Sequence, residues 1–192
     1  MTTVSRYHPV LVALHWILAF LVLADLTVGT AVVRHVPNDL PRKVDVLRMH
    51  AIGGTLILTL TLVRLGVRAL SSKPARASAG AQWLDRLAWL SHWSLYVAVL
   101  GIALSGLAMG MQAHLLEIVF MRQGRLPDSF WIYPMRYVHL FFSRLLMALI
   151  ALHVAGALYH TFILRDRPLA RMGFGKRHSV TRADRSVQVT SR

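Results

Sequence analysis

Cysteine is absent from the 192 residues. That excludes disulfides, cysteine-ligated iron–sulfur clusters and covalent c-type haem, whose attachment needs C-x-x-C-H. Acidic side chains are scarce as well, eight against 22 Lys and Arg. Charge of either sign is missing from long runs, and Leu87 to Met111 carries no full charge at all. A redox centre in this chain therefore needs ligands other than thiolate, and ten histidines are the supply.

What is present is apolar and basic together: 55% hydrophobic residues, mean hydropathy +0.50 and a net charge of +14. A nucleic-acid binder or a membrane protein with basic loops would each fit that pairing. The uncharged runs decide for the membrane, so lipid is the expected surrounding and nucleic acid is not an expected partner. Four stretches reach the roughly 20 residues needed to cross a bilayer: residues 10–33, 46–70, 87–111 and 138–164. Backbone in lipid must satisfy its own hydrogen bonds, so all four are expected to be helices. The fold class is thus an all-α integral membrane protein, a four-transmembrane-helix bundle. Residues 1–172 form the membrane domain, and a basic tail over 173–192 is expected to be disordered. The first stretch is too long for a cleaved signal peptide, contains Asp25 and lacks a small-residue cleavage site. The N-terminus, the loop after the second helix with its flanks, and the tail together carry 14 Lys and Arg; the other side carries seven. The positive-inside rule then puts both termini in the cytoplasm.

Histidine inside a membrane helix is costly and points to function. His15, His50, His92, His139, His153 and His160 lie within or at the edge of the spans. His8, His35, His114 and His178 fall in loops or tails and read as solvated or interfacial. His139 and His153 are 14 residues apart, which on a helix means about 40° in direction and about 21 Å along the axis. One helix can thus offer an imidazole to each of two haems b, one near each surface. Matching depth pairs His50 with His139 on the outside and His15 with His153 on the inside, as the metal ligands. His92 is a rival inner ligand, or it lines a pocket beside His160. A haem-free metal or proton transporter is the competing reading, but zinc would want three or four ligands at one depth. Gly53, Gly54, Gly101, Gly106 and Gly110 would let a flat macrocycle or a neighbouring helix approach closely. Asp25 and Arg144, both charged at depth, are expected to pair with each other; the alternative is that each snorkels or bonds a haem propionate.

Leu14-His15-Trp16 in the first helix and Met49-His50 opening the second are two pieces of a pattern. Val63-Arg64-Leu65-Gly66-Val67-Arg68 closes the second helix, His92 with Tyr96 follows in the third, and His139, His153 and His160 complete the set. In this order and spacing, over Tyr7 to Met172, the chain resembles the bacterial cytochrome b561 family, and specifically its superoxide:ubiquinone oxidoreductase branch. The resemblance implies an oxidoreductase of the bacterial inner membrane with two non-covalent, bis-histidine haems b inside the bundle. It implies superoxide, or another one-electron donor, at the outer face and ubiquinone as acceptor toward the cytoplasmic side. His15, His50, His139 and His153 would be axial ligands. His160 would be the catalytic proton donor beside the quinone, with His92, Arg64 and Arg68 close by. The cytochrome b subunits of formate dehydrogenases and hydrogenases share this haem arrangement, so an electron-transfer subunit of a larger respiratory complex is the alternative. The outer loops and flanks carry seven Lys and Arg against Asp39, Asp45, Glu117 and Asp128, a bias that permits an anionic donor without requiring one.

Overall fold

Proline sets where three of the four long helices begin. The computed structural model describes residues 3–4, 7–71, 82–163 and 179–180. Helix α1 spans Pro9–Thr27, α2 Pro41–Leu70, α3 Gln82–Gln112 and α4 Pro134–Phe162. Pro9, Pro41 and Pro134 occupy the first helical turn, where the missing N–H costs nothing. The Nδ1 of His8 caps α1 by accepting the Val10 N–H at 3.3 Å. Past Thr27 the first helix continues as a π-helical turn to Val33. All four are long and apolar enough to cross a membrane. Helices α2, α3 and α4 begin four or five residues before the apolar runs do. Hydropathy marks only the part in hydrocarbon; a 30-residue helix is about 45 Å long against a core of about 30 Å, so its ends stand in the interface.

Thr3–Val4 pairs antiparallel with Ser179–Val180, which brings the two chain ends to the same side of the bundle. An even number of crossings requires this. Apart from those two residues, the expected tail over 173–192 lies outside the described residues, as does most of the loop after α2.

Among the described residues α3 packs along α4, α1 along α2, and α2 against α3. Their shared core is one apolar cluster at mid-depth: Leu18 and Val22 from α1, Ile57 from α2, Ala98 from α3 and Leu146 from α4. Gly101 lets α3 and α4 close up, since a Cβ there would lie 2.5 Å from the Phe142 ring. The outward faces are as apolar as the core; Phe20 is 72% exposed and Phe162 70%. That pattern suits a solvent of lipid tails.

The connections at the end of the bundle away from the paired chain ends are tied down by cations. Lys43, only 4% exposed, donates to the Val33 carbonyl at 2.5 Å and to Val36 at 2.7 Å. The first of these carbonyls ends the π-helical turn, where an intrahelical donor is lacking; the second lies in the loop just beyond it. Arg48 closes on the Val119 carbonyl through Nε at 2.8 Å and Nη2 at 2.5 Å, and reaches Asp45 at 3.3 Å. Asn38 links the two loops at this end by donating to the Pro127 carbonyl at 2.8 Å.

Candidate functional site

On α4 the imidazole of His139 is held from one side. Its Nδ1 lies 3.0 Å from the Ile102 carbonyl and 3.3 Å from the Ser105 hydroxyl, both on α3. The ring fits because residue 106 is glycine; a Cβ there would sit 3.1 Å from His139 Cε1. With Nδ1 committed, Nε2 is the nitrogen left to ligate. Facing it from α2, His50 presents a ring whose centre is 6.1 Å away at an interplanar angle of 88°. The Nδ1 of His50 is committed as well, 3.0 Å from Asp25 Oδ1 on α1. Gly29 gives this ring its space, since a Cβ there would lie 3.2 Å from His50 Cε1. His50, His139, Asp25 and Gly29 sit in the wall of an open cavity of about 2280 Å³, larger than the roughly 300–1,000 Å³ of a small-molecule site.

The expected Asp25–Arg144 pair does not form. Asp25 meets His50, because α1 packs directly on α2 and Gly53, one turn past His50, leaves the carboxylate room. A Cβ at Gly53 would come within 2.8 Å of Asp25 Oδ1. Arg144 is exposed on α4, a helix that does not pack closely on α1 among the described residues.

Toward the other side, His153 of α4 is flanked by two rings. His15 of α1 is 6.3 Å away centre to centre, and His92 of α3 is 5.3 Å away. Arg64, near the end of α2, donates from Nη1 to the Tyr96 hydroxyl and lies 5.4 Å from the centre of that ring, with Arg68 at 6.0 Å. The Nε of Arg64 is buried without a hydrogen-bond partner among the described residues. A buried, unpaired donor of that kind is costly, and it suits an acceptor beyond the described residues. His160 is half-buried in the last turn of α4, beside Tyr159.

Two imidazoles bonded at about 2 Å to opposite sides of one metal have ring centres about 6 Å apart. His50 with His139 and His15 with His153 both have that spacing. The structure therefore brings together the four residues singled out as ligands, in two levels of two, and sets His92 against the inner level. Among the described residues no three His, Asp or Glu side chains gather to hold a metal ion, so the levels remain separate pairs. Of the other histidines, His8 caps α1, His35 Nδ1 lies 3.1 Å from the Ala31 carbonyl, and His114 is 3.8 Å from Glu117. His178 lies outside the described residues.

Sequence reasoning missed Gly29 and Ser105 as supports of the outer pair, and it gave Asp25 the wrong partner. Gly29 had a signal, a small residue one helical turn from Asp25 on the same element. Ser105 had none, since a serine in an apolar helix is common.

Residues 6–175 match the family model described as prokaryotic cytochrome b561. A protein of Cereibacter sphaeroides called cytochrome b562 is 27% identical over 186 residues, which span 90% of this chain and 98% of that protein.

Proposed function

The chain belongs to the prokaryotic cytochrome b561 family, so it is a multi-pass bacterial membrane cytochrome b of electron transfer, and we propose that it holds two haems b and carries electrons from superoxide at the outer face to ubiquinone near the cytoplasmic face. The observation that carries the reading is the pair of imidazole pairs at two depths, with ring centres 6.1 and 6.3 Å apart. Supporting it is the chemistry of the donors: His50 and His139 both commit Nδ1 and leave Nε2 for iron, the arrangement that metal-bound histidine usually shows. Gly29 and Gly106 keep the approach to the two rings open. A haem propionate or a quinone carbonyl would satisfy the orphaned Nε of Arg64.

His50 and His139 would hold the outer haem, and His15 and His153 the inner one; His92 is the third imidazole beside the inner pair. When bound, the haem iron supplies one-electron redox chemistry. The chain's own part is to hold the ligand nitrogens in register, keep water out with the Leu18, Ala98 and Leu146 core between the levels, and supply protons to the acceptor. The overall reaction balances as two superoxide ions each losing one electron to become dioxygen, and one quinone gaining two electrons and two protons to become quinol. His160, in the last turn of α4, is the proton donor at the quinone. Arg64 and Arg68 orient it. The donor assignment rests on the resemblance to the superoxide:ubiquinone oxidoreductase branch, and the inner bacterial membrane on that resemblance and the positive-inside count.

Purified protein tests the reading directly. The expected result is two haems per polypeptide, a bis-histidine b-type reduced spectrum, and superoxide-driven quinone reduction without a partner protein. A reduced spectrum with no b-type band overturns the haem assignment. Two haems with no response to superoxide overturn the donor and leave an electron-transfer subunit of a larger complex.

A further inference from the structure

We propose that Asp25 is a positioning residue that acts through His50 to hold the outer haem at a lower reduction potential than the inner one; the inference rests on the haem assignment above. Its basis is an asymmetry in what stands behind the ligand rings. His50 Nδ1 meets a carboxylate oxygen at 3.0 Å. His139 Nδ1 meets a backbone carbonyl and a hydroxyl, both neutral. Among the described residues no salt bridge joins an acid to His15 or His153. Instead the guanidinium of Arg64 stands within electrostatic reach of both. Arg136 stands within electrostatic reach of His139 as well, so the difference lies in direct contact: among the described residues only His50 of the four ligands has a carboxylate hydrogen-bonded to its ring.

The chemistry follows from the charge on iron. Oxidised haem carries one more positive charge than reduced haem. A carboxylate accepting from Nδ1–H makes the imidazole a stronger electron donor and stabilises the oxidised form, which lowers the potential. A nearby cation does the reverse. Electrons given to the outer level therefore run downhill to the inner one. The contact is built rather than incidental: Asp25 sits among apolar neighbours on α1, and the bare backbone of Gly53, where a Cβ would come within 2.8 Å of Oδ1, makes its room. An acid in a hydrocarbon-depth helix is expensive to keep, and no other acid lies in the four apolar runs below the outer ends of the helices.

The test is potentiometric titration of the purified holoprotein, with the outer component identified as the one missing in His139→Ala. Asp25→Asn is nearly isosteric, so the protein is expected to keep two haems and its reduced spectrum. Its outer component should rise by at least a tenfold shift in the redox equilibrium, about 59 mV for one electron, with the inner component unmoved. Gly53→Ala, which pushes the carboxylate off His50, should raise the same component, and it serves if Asp25→Asn does not fold. Two haems with an unchanged outer potential, or both components moving equally, overturn the role of Asp25 alone. Fewer than two haems in the unmutated protein overturns the assignment beneath it instead.

Discussion

Glycine 106 offers the sharpest perturbation of the outer site. A Cβ at this position would lie 3.1 Å from Cε1 and 3.2 Å from Nδ1 of His139. The ring can retreat only by giving up Nδ1 contacts of 3.0 Å to Ile102 and 3.3 Å to Ser105, each contributing about 0.5–1.5 kcal/mol. Changes to the partners that orient a metal-bound histidine typically cost about 10–100-fold in affinity, or about 1.4–2.8 kcal/mol. Gly106→Ala should fall at the lower end, because the ring needs to give by only a few tenths of an ångström. Gly106→Val adds two branches with no space and should lose the outer haem. The opposing effect is on the helix itself, where replacing glycine by alanine gains roughly 0.5–1 kcal/mol. Haem occupancy and fold stability should therefore move in opposite directions in the alanine variant, which separates a local steric effect from general damage. Gly156→Ala is the control: on α4, three residues from His153, its Cβ would meet nothing within 4 Å. The assay is haem per polypeptide in purified protein, with a thermal melt beside it. Gly106→Val protein with two haems and an unaltered spectrum would refute the geometry.

Six further substitutions map the rest. His50→Ala and His139→Ala should each remove the outer haem and leave one per chain, read as stoichiometry. At the inner level, His15→Ala should lose a haem and His92→Ala should keep both; the reverse outcome would exchange their roles. His160→Gln should retain both haems while quinone reduction slows about 100-fold or more, the usual scale for removing a proton donor. Loss of a haem there would make His160 a ligand. Lys43→Met should lower the thermal midpoint, at a cost of about 2 kcal/mol for the charged hydrogen bonds to Val33 and Val36, with haem content unchanged.

Much of this arrangement was legible in the chain, for reasons that are local. The spans followed from length and hydropathy, because a membrane helix must be both long and apolar. The shared face of His139 and His153 followed from helical periodicity alone, since both sit on one uninterrupted element. Depth matching could bring His50 opposite His139 because depth along a span is nearly a one-dimensional coordinate. What depth cannot supply is azimuth. Asp25 and Arg144 sit at similar depth, and pairing them was reasonable until the order of packing put α1 against α2 and away from α4. The same limit explains Ser105 and Gly29, which matter only through the helix each one faces. It also kept His15 and His92 open as partners of His153, because both are at the right level and packing sets both rings beside it.

The outer cavity also bears on the donor, through its charge. Its wall carries seven cations, Arg34, Lys43, Arg48, Arg122, Arg125, Arg136 and Arg144, and five acids, Asp25, Asp39, Asp45, Glu117 and Asp128. The net is small, and several of the cations already have work inside the protein. Lys43 and Arg48 hold backbone carbonyls, and Arg136 stacks 4.6 Å over Trp131. Hydrogen bonding does not cancel their charge at a distance, so an excess of two remains to attract an anion. Raising ionic strength from 0.01 to 0.15 M shortens the Debye length from about 30 to about 8 Å. For a singly charged anion approaching a net charge of that size, the encounter rate should then fall about threefold. Stopped-flow haem reduction by superoxide across a salt series measures this. A rate independent of salt would mean that the donor is neutral or that the acids dominate at the mouth. A fall of tenfold or more would require the exposed arginines to converge at the entrance, with Asp39 and Asp128 turned away from it, an arrangement at odds with the even mixture of signs around this cavity.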